Sequence, residues 1–208
     1  MTWTAPARLI ALVAALLGIA PSAAAAERSI DKTIVVNATV DQVWEAWTTR
    51  EGIVSFFAPD AKIDPKPGGA FQIYIDPDAP AGSRGADESR FMALQPKKML
   101  SFDWNAPPHL PEARAQRTFV VLRFEPVGDR QTRVTLHHTG WGDGGQWDQA
   151  YTYFQGAWGR RARQFAASLR PGSDRLDRVA RATQALARGR SEEGGAEIAL
   201  ATAPSWRA

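Results

Sequence analysis

The 208-residue chain contains no cysteine, which removes disulfides, thiolate metal sites and cysteine nucleophiles together. Its stability must therefore come from packing and hydrogen bonding. Histidine is scarce as well. None of the three stands in the His-x-His or Glu-x-x-His spacing that favours a metal, and neither a metal nor an organic cofactor is expected. There is no Gly-x-Ser-x-Gly elbow and no Gly-rich loop followed by Lys-Ser/Thr, so the common serine-hydrolase and phosphate-loop signatures are missing. A dominant charge is lacking too: 25 basic against 22 acidic side chains leave a formal net charge of +3, weak for a nucleic-acid binder, and no nucleic-acid partner is expected.

The N-terminus does carry an apolar run. Arg8 precedes the uncharged stretch Leu9 to Ala20, and Pro21 to Ala26 supplies an Ala-x-Ala site before Glu27. Such a run has the length of a secretory h-region and is short for a membrane span. Residues 1–26 are thus expected to act as a signal peptide and to leave a periplasmic or secreted mature chain, a retained anchor being the alternative. The remainder is long enough for one domain with a real core, residues 27–170, and a C-terminal extension, 171–208.

Periodicity sets the elements. Residues 29–36 are rich in β-branched side chains and read as a strand. Thr39 and Gln42 have capping-box spacing, and Val40, Val43, Trp44 and Trp47 follow at i, i+3, i+4 and i+7, which gives a short helix with an indole face. A second short helix covers Glu51 to Phe57 and is stopped by Pro59. Phe71, Ile73 and Ile75 alternate with polar neighbours, and a turn-rich loop spans 76–87. Further strands are expected at 88–95, 100–104, 117–127 and 132–139, with an irregular proline-rich loop at 106–112. A long helix from Gln146 to Leu169 carries Trp147, Tyr151, Phe154, Trp158, Phe165 and Leu169 along one side, and Pro171-Gly172 ends it. The pattern predicts an α+β fold in which a curved antiparallel sheet of about six or seven strands wraps a long terminal helix. Residues 173–190 can form another helix, and the last stretch has little reason to be ordered.

Strand alternation then sorts the inward faces. Phe71, Ile73 and Ile75 form one set, Phe102 and Trp104 a second, Val120, Leu122 and Phe124 a third, and Val134, Leu136 and His138 a fourth. Trp44, Phe154 and Trp158 face them from the helices. Asp103 and Tyr74 fall on the opposite faces, towards solvent. His137 and His138 point to opposite sides of their strand and cannot easily chelate one ion, so a structural or ligand-orienting role is expected of His138. An apolar wall with few polar atoms suits a ligand pocket and an ordinary core equally.

Five motifs in order carry a resemblance: Val43-Trp44-x-x-Trp47-Thr48, Gly68-Gly69-x-Phe71, Phe102-x-Trp104, Thr135-x-His137-His138-x-Gly140 and Gly156-Ala157-Trp158. With them the stretch 29–169 resembles the START-like (SRPBCC) superfamily, and within it the branch named for activators of the 90-kilodalton heat-shock-protein ATPase. The chain departs from the pattern at Phe56-Phe57, where many members carry a tryptophan, and in its two terminal segments. The resemblance implies the helix-grip fold with a cavity between sheet and long helix, members of which bind lipids, sterols or polyketides. It implies a small apolar ligand here, contacted by Trp44, Phe71, Ile73, Phe102, Trp104, Leu122, Phe124, Leu136, His138, Phe154 and Trp158. An exported protein would not meet the cytosolic chaperone, so co-chaperone activity is not expected.

Two rival readings stay open. A minority of such proteins are cyclases or hydrolases, and that reading requires a carboxylate or tyrosine beside His138. The other is an interaction module: arginines dominate from Arg160 to Arg190, opposed only by Asp174 and Asp177, and could make weak contact with a membrane surface, although a solvated helix face explains them as well. The glycine-rich loop 140–145 before the long helix reads as a mobile lip over a cavity mouth or as a plain connector.

Overall fold

A computed structural model describes residues 27–170; the expected signal peptide, the C-terminal extension and the helix expected at 173–190 lie outside the described residues. Strand β1 (Ile30–Val36) turns Ile30, Lys32, Ile34 and Val36 towards the core and Asp31, Thr33 and Val35 away from it, the period-two pattern of a half-buried strand. Thr39 then starts helix α1 (Val40–Thr48) with the expected capping box. Its hydroxyl accepts from the Gln42 backbone N–H at 3.3 Å, and the Gln42 side chain accepts from the Thr39 N–H at 3.0 Å. Thr49 closes α1 and opens α2 (Arg50–Phe56), its hydroxyl accepting from the Gly52 N–H at 3.0 Å. The two short helices abut so closely that a Cβ on Gly52 would lie 2.5 Å from the Ala46 Cα.

The larger sheet has five antiparallel strands in the order β1, β8 (Gln131–Thr139), β7 (Thr118–Gly128), β6 (Met99–Trp104) and β5 (Phe91–Gln95). Register lines its inward side chains up in rows: Ile30, His138, Val120 and Phe102 in one, Lys32, Leu136, Leu122 and Leu100 in the next, Ile34, Val134 and Phe124 in a third. A smaller sheet holds β2 (Asp60–Ile63), β3 (Phe71–Tyr74) and β4 (Gly85–Ala86). One bridge between Ala70 and Arg90 joins the two sheets. Beside it the Phe71 N–H donates to the Ser89 carbonyl at 2.8 Å and the Phe91 N–H to the Gly69 carbonyl at 2.9 Å. Helix α4 (Gly145–Ser168) crosses the inward face and packs on β1, α2 and the single turn α3 (Pro111–Arg114), burying Ala150, Phe154, Trp158 and Phe165.

The helix-grip architecture is therefore the expected one, with four differences of detail. The strands divide between two sheets instead of forming one of six or seven. Two strands are additional to those expected: β2, and the two-residue β4 inside the expected loop at 76–87. The strand expected from Glu88 starts only at Phe91, because Glu88 adopts a positive φ of 62° that breaks the extended run. Pro111 opens α3 within the expected irregular loop, a position where its missing N–H costs nothing.

Candidate functional site

Trp104 closes β6 on the inward face, and its ring meets four aromatic neighbours, Phe71 at 6.4 Å among them. Ring centroids lie 5.7 Å from Trp158 of α4, 5.9 Å from Phe57 at the end of α2 and 5.6 Å from Phe102. Phe154, one turn before Trp158, stacks on it at 6.3 Å and 28°. Large rings that meet edge-on tile a surface imperfectly. Spaces are left on both flanks of α4.

Where the helix meets the sheet the gap is small, about 30 Å³, and is lined by Ile34, Trp47, Leu122, Leu136, Trp158 and Phe165 together with Lys32 and Arg161. It has room for about one water molecule. Among the described residues the inward side chains of the grip are packed into one buried core. Two larger hollows open along the other flank. One of about 190 Å³ lies against Phe57, Ala157, Trp158, Arg160, Arg161 and Gln164; the other, about 280 Å³, lies against Arg84, Gly85, Asn105, Pro107 and Arg114. They adjoin, because Ile75, Trp104, Tyr153 and Phe154 wall both.

The outer rim of the second hollow is held by a buried ion pair. Asp87, 4% exposed, accepts from the backbone N–H of Arg84 at 2.8 Å and from its side-chain Nε at 3.0 Å, and lies 3.6 Å from Arg114. Arg114 donates in turn to the carbonyls of Gly82, Gly85 and Ala106. One guanidinium therefore ties α3 to the β4 loop and to the loop after β6.

His138 lies at the inner end of the aromatic wall, fully buried at 0% exposure. The Trp158 indole N–H, which can only donate, points at His138 Nδ1 from 2.8 Å, so Nδ1 is unprotonated and Nε2 bears the proton. Nε2 then donates to the Thr118 hydroxyl at 2.7 Å, and that hydroxyl donates to the Trp104 carbonyl at 3.2 Å. The imidazole is neutral, and burial pushes its pKa down from 6.5 to about 3, with the neighbouring His137 adding to the shift. Both ring nitrogens are used by protein groups. The partners are threonine and indole, not the carboxylate or tyrosine that an acid–base enzyme would place there. His137 faces the other way, its Nδ1 2.7 Å from Asp31. Among the described residues no group of three or more His, Cys, Asp or Glu side chains could hold a metal ion.

The residues singled out from sequence fall into three groups. Trp104, Phe154 and Trp158 line the flank hollows, while Leu122, Leu136 and again Trp158 line the gap under the helix. Phe71, Ile73, Phe102, Phe124 and His138 are buried in the core, and Trp44, half-buried, packs edge-on against Phe124 at 6.1 Å. Ile75 lies beyond the end of β3 and is 45% exposed, so it walls the hollows from outside the sheet. Asp103 corrects the expectation of a solvent-facing carboxylate: its side chain is only 16% exposed, accepts from the Arg90 N–H and lies 3.6 Å from Arg117. Tyr153, Arg160, Arg161 and Gln164 are site residues that the sequence reading does not reach. Tyr153, Arg160 and Gln164 follow at spacings of seven and four and do mark one helix flank, with Arg161 next to it, but arginines in a basic run look the same whether they edge a hollow or only meet water.

Solved structures of similar fold bear out the architecture at low identity. Protein MLL2253 from Mesorhizobium loti has 20% identity and a TM-score of 0.57 over 68% of this chain and 96% of its own. The Aha1 dimer from Colwellia psychrerythraea gives 18% identity and a TM-score of 0.54 over 70% of this chain and 98% of its own. CalU16 from Micromonospora echinospora gives 22% and 0.52 over 74% and 82%. No curated protein matches the chain. The family model described as Activator of Hsp90 ATPase homolog 1-like protein matches residues 37–170, from the loop before α1 to the end of α4 and well over half of the chain, and the protein belongs to that family.

Proposed function

We propose that the protein is an exported binder of a small apolar molecule, held along the flank of α4 instead of in the centre of the grip. The observation that carries this reading is the pair of adjoining hollows of about 190 and 280 Å³ that share Ile75, Trp104, Tyr153 and Phe154. Together they fall in the size range of small-molecule sites, roughly 300–1,000 Å³, and combine an apolar wall with a few polar groups at the rim. Burying about 200 Å² of a guest's apolar surface there would contribute roughly 5 kcal/mol before ordering costs. His138 would serve the site indirectly, by fixing the Trp158 indole through its Nδ1. The apolar run at 9–20 and the Ala-x-Ala site before Glu27 support export.

Native mass spectrometry of the protein isolated without detergent from its host tests the binding. A discrete added mass of hundreds of daltons, lost on denaturation, is expected, and it should disappear when Tyr153 and Phe154 are both changed to bulkier tryptophan to fill the wall. A clean mass, with no uptake of any apolar probe, would refute the reading. N-terminal sequencing of the same sample should begin at Glu27 if the leader is removed.

A further inference from the structure

Arg161 stands where two spaces meet. It lines the narrow gap beneath α4 with Lys32, and the flank hollow with Arg160 and Gln164. Among the described residues no aspartate or glutamate lines either space. Lys32 is brought there by register: it pairs opposite Leu136 on β8 and so sits in the inward rows of the sheet, where a cation is out of place unless something answers its charge. Among the described residues none of Lys32, Arg160 and Arg161 joins an ion pair. The Arg161 guanidinium lies 4.9 Å from the centre of the Phe57 ring and donates one hydrogen bond, from Nη1 to Gln164 Oε1 at 2.8 Å. These contacts orient it without neutralising it. Burial is the main cause that lowers its pKa, with Tyr153 acting the other way and Arg160 adding to the lowering, as expected of a half-buried cation without a counter-charge.

The other hollow differs. There Arg84 and Arg114 are already committed to Asp87 and to backbone carbonyls, and Asp76 lines the wall as well. One end of the pair of hollows is thus cationic and unanswered, the other is balanced, and the Trp104–Phe154 wall lies between.

We propose that the guest is an amphipathic acid: a single planar anion, such as a carboxylate, held by Arg160 and Arg161, with an apolar body lying along Ile75, Trp104, Tyr153 and Phe154. The inference rests on the small-molecule reading above and adds the chemical class. A guanidinium offers two parallel N–H donors to a carboxylate, and Gln164 already holds Arg161 in place for that geometry. The hollows are too small for a two-chain phospholipid, so a single-chain or compact polycyclic acid is the fitting source.

The test compares dodecanoate with dodecanol, each below its aggregation threshold, by calorimetric titration into the full chain stripped of carried material. Dodecanoate should bind at least about tenfold more tightly than the alcohol at neutral pH. Arg161→Gln should remove most of that preference, weakening the acid much more than the alcohol, and Arg161→Lys should restore it only in part, since an ammonium lacks the fork. Arg160→Gln, at an exposed helix position, should weaken the preference without endangering the fold. Equal binding of acid and alcohol would overturn the acid assignment and leave the small-molecule reading standing. Binding of neither would overturn both. If sedimentation with phosphatidylglycerol vesicles depends on these arginines while free dodecanoate fails to bind, they serve a membrane surface and the assignment is wrong.

Discussion

At the scale of single residues, His138 has the sharpest measurable consequence. The folded chain holds its imidazole neutral, with a pKa of about 3 against an ordinary 6.5. Below pH 6.5 the unfolded chain therefore binds a proton that the folded chain refuses. His138 permits full stability above pH 6.5, and stability falls as pH drops from there towards 3, by up to about 1.4 kcal/mol per unit. Asp31, bonded to His137 and Ser29, and Asp60, bonded to the Ala61 N–H, also titrate low when folded, but their ordinary value is 3.8, so their losses set in only from about pH 5 downward. Urea unfolding between about pH 7 and 5 thus separates the histidine from these aspartates. The slope should be clear in the native protein and nearly absent in His138→Gln, whose amide can still accept from Trp158 and donate to Thr118. The opposite facing of His137 and His138 is legible in the sequence because strand alternation alone dictates it. The tautomer is not, because it is set by Trp158, twenty residues away.

Among the elements, the junctions carry more risk than the elements themselves. Gly52→Ala would ordinarily favour a helix by about 1 kcal/mol. Here the new methyl would lie 2.5 Å from the Ala46 Cα and 2.6 Å from two carbonyl oxygens of α1, so α2 must shift and a net loss of about 3 kcal/mol is expected in thermal unfolding. Arg114→Met should cost a similar amount, about 3 kcal/mol, because it removes the donor from the carbonyls of Gly82, Gly85 and Ala106 and leaves Asp87 with Arg84 as its remaining cation. If its unfolding midpoint matches that of the native protein, the ion pair does not brace the hollow. The helices are readable because local rules fix them: a capping box at Thr39 and an aromatic stripe on α4 repeat within a few residues. Strand β4 is not readable, since two residues hold no period and Gly85 and Ala86 become a strand only by meeting Tyr74 and Ile73. The same holds for β2, four residues long with one fully buried side chain.

For the molecule as a whole, binding should register as stability. At a free concentration of about 100 times its Kd, dodecanoate should raise the unfolding free energy by about 2.7 kcal/mol, and an unshifted melting curve under those conditions would show that the hollows take no such guest. The grip and the residues of its inner wall are legible in the periodicity, but hollows are what packing fails to fill, so no pattern of residue types locates them. Phe71 and Trp104 obey the same alternation, yet Phe71 is lost in the core among Phe91 and Phe102 while Trp104 ends its strand beside open space. The aromatic wall also gives the molecule an optical signature. The Trp104 and Trp158 rings, 5.7 Å apart and inclined at 45°, are close enough for their ultraviolet transitions to couple, and both line the flank hollow. Near-ultraviolet circular dichroism should therefore show a paired tryptophan band that Trp158→Phe abolishes. A guest that changes the tilt of either indole would announce itself in that band without any label.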